Sequence, residues 1–106
     1  MKKIMRITEN IREEMDDAEK YLKQAAKCKG VDDPMSALAA ELAGEELKHA
    51  EKWHDHAVRE ILSMKEMMKE RGEAVPAFMI EMWEEKHEEY IHRMGILKHE
   101  LELIKR

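Results

Sequence analysis

Between Glu45 and Ala57 the chain reads Glu-Glu-Leu-Lys-His-Ala-Glu-Lys-Trp-His-Asp-His-Ala, carboxylates and imidazoles set into an apolar repeat. On a helix of 3.6 residues per turn, Met35, Leu38, Ala39, Leu42, Ala50, Trp53, Ala57, Met64 and Met68 share one stripe. Glu46 falls at the centre of that stripe and His49 just inside its edge. An ionised carboxylate removed from water without a partner is costly, so such a group is expected to be paired, protonated or bound to a metal. The rest of the chain is therefore searched for its partner.

Four of the six histidines follow a Glu by three residues: Glu46 and His49, Glu51 and His54, Glu84 and His87, Glu89 and His92. Residues i and i+3 share a helix face, so one rigid element can offer a carboxylate oxygen and an imidazole nitrogen to the same ion. Helical bundles that hold two iron or manganese ions use two such pairs, with one further Glu from each of two other helices. Oxygen and nitrogen ligands without thiolate suit Fe, Mn or Zn. Orientation sorts the four pairs. Glu51, His92 and His99 project outward, and His54 and His56 flank the stripe as boundary residues. Glu46 with His49 is the leading pair. Glu84 with His87 is the second, Glu84 lying at the boundary of the buried arc and His87 inside it.

The elements that must position these residues are helices. The chain is 41% charged and 5% aromatic, with four Gly and two Pro, a composition that favours helix over sheet, and 106 residues suit one domain. An all-α fold of three antiparallel helices is expected, over about 4–29, 34–71 and 76–105. Ile4, Ile7, Ile11, Met15, Ala18, Leu22 and Ala25 give the first helix a single apolar face, and Lys29-Gly30 ends it. Asp33-Pro34 supplies the next N-cap and a proline at the first helical position. The second helix then meets no stop before Arg71-Gly72. The third carries Met79, Ile80, Trp83, Tyr90, Ile91, Met94, Leu97, Leu101 and Ile104 on its inward face.

Short loops make consecutive helices antiparallel neighbours. Counted outward from Gly30, Glu14 is level with His49, and it shares a side of the first helix with Tyr21. Counted from the second turn, the inward Glu60 is level with His87. Glu46 and Glu60 are 14 residues apart, about 21 Å on one helix, so one chain holds two half-sites. The first helix is expected to cover the second only to about Trp53, leaving Met64, Met67 and Met68 on an open apolar half. A two-fold axis near Trp53 answers both problems. It would join Glu14, Glu46 and His49 of one subunit to Glu60, His87 and Glu84 of its mate, and would bury the open half in a homodimer.

A net charge of -5 with interleaved signs lacks the basic face that nucleic acid or an anionic membrane requires. No apolar run approaches the roughly 20 residues of a membrane span. Cys28 alone forms no disulfide within the chain and no multi-thiolate site, and it fits a partly buried core edge. Met-Lys-Lys-Ile-Met-Arg turns charged too early for a signal peptide, so a cytoplasmic location is expected.

With these residues in view, the first two helices resemble the ferritin-like superfamily, and its rubrerythrin branch in particular. Glu14 followed by Ala18 and Tyr21 is similar to that family's first metal-binding helix, and Glu46-Leu47-Lys48-His49-Ala50 to its second. The resemblance spans roughly residues 7–57, and it implies a carboxylate-bridged di-iron centre that oxidises iron or reduces peroxide or dioxygen. In that reading Glu46 or Glu14 bridges the ions, His49 is a terminal ligand, and Tyr21 hydrogen-bonds to a ligand. The chain departs from the family in having three helices where its members use four, and one cysteine where rubrerythrins carry a rubredoxin-like cluster. Two other readings stand beside it: a non-catalytic helical dimer of ferritin-like ancestry, whose inward Glu and His pair with each other, and a partner-binding module that uses the Met-rich half.

Overall fold

The structure, a computed structural model, describes residues 2–106. It is all-helical, with α1 over Lys2–Cys28, α2 over Asp33–Glu70 and α3 over Ala77–Lys105. The punctuation is chemical. Gly30 and Gly72 take the positive φ values of 81° and 71° that end α1 and α2, a backbone region open to glycine at little cost. The N-cap of α2 is Asp32, one residue before the expected Asp33: its side chain accepts from the backbone N–H of Met35, while Asp33 Oδ1 accepts from Gly30 at 2.8 Å. Pro34 sits in the first turn, where its missing N–H leaves no gap.

At about 1.5 Å per residue, the 38 residues of α2 span about 57 Å, which sets the long dimension of a molecule measuring 61 × 18 × 17 Å. Contacts along α1 and α2 run in opposite order: Lys3 meets Glu60 at 2.9 Å, Glu14 meets His49, and Ser36 Oγ donates to the Ala25 carbonyl at 2.7 Å. On α3, Arg93 reaches Asp16 and Glu19 of α1, and Ile104 accepts from Lys29, so α1 and α3 rise together. Lys98 pairs with Glu51, and Leu101 lies 3.5 Å from where a Cβ would stand on Gly44.

Coverage by α1 extends further than expected. It reaches Glu60 rather than stopping at Trp53, because it begins at Lys2 and packs without offset. Ile7, Ile11, Met15, Ala18, Leu22 and Ala25 are all buried.

The larger correction concerns α2. Its buried face is Ser36, Ala39, Ala40, Ala43, Leu47, Ala50, Ala57 and Ile61, whereas Met35, Leu38 and Trp53 are exposed. Small residues let α1 and α3 approach closely, since helix separation is set by side-chain size at the contact. The bulkier stripe that hydrophobicity alone would turn inward is rotated to the flank. Tyr90, Met94 and Leu97 carry the buried face of α3, and Ile91, expected inside, is exposed.

Candidate metal centre

The rotation of α2 decides where the polar groups go. Glu46 lies at the flank of α2 beside α1, its side chain 22% exposed, and His49 is more open, at 52%. Glu14 projects from the edge of α1's apolar face at 24% exposure and meets them. His49 Nδ1 stands 3.6 Å from Glu14 Oε2 and 3.9 Å from Glu46 Oε2. One ligand atom from each of the three residues lies within 4.8 Å of the other two.

The donor set can be tested against a cation by distance. Two ligands at about 2.1 Å from one ion are about 3.4 Å apart at a tetrahedral angle. The two separations from His49, 3.6 and 3.9 Å, are within about 0.5 Å of that value, and the two carboxylates lie within 4.8 Å of each other. Two carboxylates and a neutral imidazole fit a divalent first-row ion. Without one, the same geometry is a loose ion pair that forms when His49 is protonated.

The remaining expected ligands lie elsewhere in the chain. Glu60 is half-buried and engaged at 2.9 Å by Lys3 and at 3.7 Å by His56. The hydrogen bond from Lys3, with its positive charge, holds the Glu60 carboxyl below its usual pKa. Glu84 is exposed. His87 is half-buried but meets His54, not Glu60: His54 Nε2 and His87 Nδ1 are 2.9 Å apart, and the Trp83 ring centre lies 5.4 Å from that of His87. One ring of this pair carries the shared proton and the other accepts. Tyr21 is half-buried and packs against the core.

His54, expected at the boundary, is largely buried, with its side chain 12% exposed. Burial, and then the positive charge His87 can carry, push its pKa below the ordinary value, against a smaller opposing pull from Asp55. A signal for this was present in the sequence, since His54 continues the spacing of Leu47, Ala50, Ala57 and Ile61.

One face of this assembly is left uncovered. Along α2, on the side of Glu14, run Met35, Leu38, Leu42, Glu46, His49, Trp53, His56 and Glu60, followed by Met64, which also borders Met79, Ile80 and Trp83 of α3, and by the exposed Met67. The stripe has apolar ends and a Glu/His centre, and the triad sits in it. No helix is long and apolar enough to cross a membrane among the described residues. The chain matches no family model, no curated protein and no solved structure.

Proposed function

We propose that this chain is a carboxylate and imidazole metal-binding protein of ferritin-like, antiparallel architecture, in which two copies pair to complete a dinuclear centre. The observation that carries the reading is the convergence of Glu14, Glu46 and His49 from two helices onto one uncovered face. One Glu from α1 with one Glu-x-x-His from α2 is half of the four-carboxylate, two-imidazole set of dinuclear helical bundles. A two-fold axis passing by the triad supplies the other half from a second copy, without Glu60, Glu84 or His87.

In that arrangement Glu14, Glu46 and His49 would hold the ions, the carboxylates offsetting their positive charge and the imidazole supplying a nitrogen donor. Tyr21, two turns from Glu14 on the same flank, is available to hydrogen-bond a carboxylate and fix its orientation. Iron is favoured by the donor set, with manganese or zinc as the other ions of suitable softness. Bound iron would supply electrons to dioxygen or peroxide, which makes iron oxidation or peroxide reduction the supported activities.

A second register is favoured by the symmetry of the stripe about Trp53, from which Glu46 and Glu60 are equally distant. Leu42 and Met64 are equally distant as well. There Glu60 of the mate joins the triad, and each dimer holds two separate sites. His56 of the mate would lie beside His49.

Anaerobic titration with Fe(II), read by elemental analysis, and sedimentation of the same samples test the proposal. A dimer that takes one iron per chain supports the axis through the triad, and uptake lost in Glu46→Gln but kept in Glu60→Gln confirms that register. Uptake lost in both variants, and recovered when the two are mixed, supports the Trp53 register. Absence of iron, manganese and zinc at saturation overturns the metal reading and leaves the non-catalytic helical dimer.

A further inference from the structure

On another face of the molecule, α1 and α3 line a groove of about 340 Å³. That volume lies at the small end of the range for small-molecule sites. Its floor is apolar, made by Ile4, Met79 and Trp83, with Met5 and Met82 as exposed walls. Thr8 does not spoil the floor, because its hydroxyl is turned back to the Ile4 carbonyl at 2.7 Å.

The groove is charged at one end. Beyond it, Arg93 crosses from α3 to Asp16 at 2.7 Å and Glu19 at 3.0 Å and ties the two helices together. One turn before that clamp, Arg12 of α1 and Lys86 of α3 stand over the groove from opposite walls, with Tyr90 between them. Among the described residues, Arg12 and Lys86 pair with neighbours on their own helices, Glu9 at 3.6 Å and Glu89 at 3.5 Å. Such exposed pairs are worth little and yield to a better acceptor. Burial keeps the Tyr90 phenol above its ordinary pKa, so it remains a hydrogen-bond donor at neutral pH.

We propose that this groove binds a free single-chain amphiphilic carboxylate, its head between Arg12, Lys86 and the Tyr90 hydroxyl and its alkyl chain along Met79, Trp83 and Met82. Charge complementarity fixes the orientation: the charged residues that line the groove are Arg12, Lys86 and Glu9, two cations and one carboxylate, and both cations stand at the Tyr90 end with exposed same-helix partners, Glu9 and Glu89, to give up. The seven residues from Arg12 back to Met5 span about 10.5 Å, which suits a medium-length chain. The site is independent of the metal reading and exists in metal-free protein.

The test is methionine-methyl NMR of the intact metal-free protein, titrated with decanoate below its micelle concentration. Saturable shifts of Met5, Met79 and Met82, with Met35 and Met67 unmoved, are expected. Decanol should bind at least about tenfold more weakly, the scale of one lost charge-assisted contact. The double variant Arg12→Glu with Lys86→Glu should lose a similar factor while keeping its helical circular dichroism, both side chains being exposed. Equal binding of decanol, or shifts spread to Met35 and Met67, would reduce the groove to a nonspecific apolar surface and overturn the proposal. So would binding to mixed phosphatidylcholine and phosphatidylglycerol vesicles by a protein that ignores free decanoate.

Discussion

The two long faces of α2 differ in a way that hydrophobicity does not anticipate. The inner face is mostly alanine, with Leu47 and Ile61 as its large members, and it is buried against α1 and α3. The outer face carries Met35, Leu38, Trp53 and Met67 and is exposed. Small residues build the tight contacts within the chain, since they let backbones approach and lose little side-chain entropy on burial. Large apolar residues left outside, rimmed by charge and interrupted by Glu46 and His49, fit the docking face that we propose for a second copy. One face of the helix makes the fold; the other is available for function.

Placing a charge on the inner face should have the largest effect. Ala50 is fully buried, so Ala50→Asp strands a carboxylate among apolar atoms and should cost roughly 3 kcal/mol or more. Urea denaturation measures this. A loss below about 1 kcal/mol, within the range of ordinary substitutions, would mean that the inner face is not the core.

Next in size is the response to metal at the outer face. An ion that binds only the folded protein stabilises it by about 2.7 kcal/mol at one hundred times its Kd. Wild-type protein should show that gain with Fe(II) or Zn(II), and Glu46→Gln should lose it. Without metal the variant should match or exceed the wild type, because Glu46 then has only the loose contact with His49. A gain from metal that survives Glu46→Gln would move the site elsewhere.

Trp53→Asp separates the two faces most directly. Trp53 is 37% exposed, so most of its ring area is still buried within the chain, and the substitution should cost the single chain about 1–2 kcal/mol, less than Ala50→Asp. On the proposed pairing, sedimentation should show the dimer dissociating without loss of the fold. A variant that unfolds, or that sediments as the wild type does, would contradict the division between an inner structural face and an outer docking face.

Legibility in the sequence follows the same division. The ends of the helices are punctuated by residues with one local meaning, Gly30, Pro34, Gly72 and Pro76, and these could be read directly, although the N-cap of α2 falls at Asp32, one residue before the expected Asp33. The face of α1 was equally plain, because from Ile7 to Leu22 its Ile, Met and Leu all lie on one side. The rotation of α2 was not, since alanine carries a weak apolar signal and the larger residues outvote it. Glu14, Glu46 and His49 could be brought together by counting from Gly30, a short path with one turn to guess. His87 depended on a second turn and on the roll of α3 about its own axis, which periodicity does not specify to within one position, and it meets His54 instead.

The smallest expected change tests the inner face without introducing a new charge. His54 lies on that face a turn from both Ala50 and Ala57, and its pKa is depressed on folding. The folded chain then binds fewer protons at this ring than the unfolded chain does, so stability rises with pH across the interval between the two values. The contribution is fully present above about 6.5, the ordinary histidine value, and is lost as the pH falls through the lower folded value. Protonating both rings also breaks the bond to His87, since an imidazolium has no acceptor nitrogen. His54→Gln should therefore flatten the stability profile of metal-free protein below pH 6.5 and leave its slope above neutrality unchanged. If urea midpoints of variant and wild type fall in parallel through that interval, His54 is hydrated in solution and the inner face of α2 opens near residue 54.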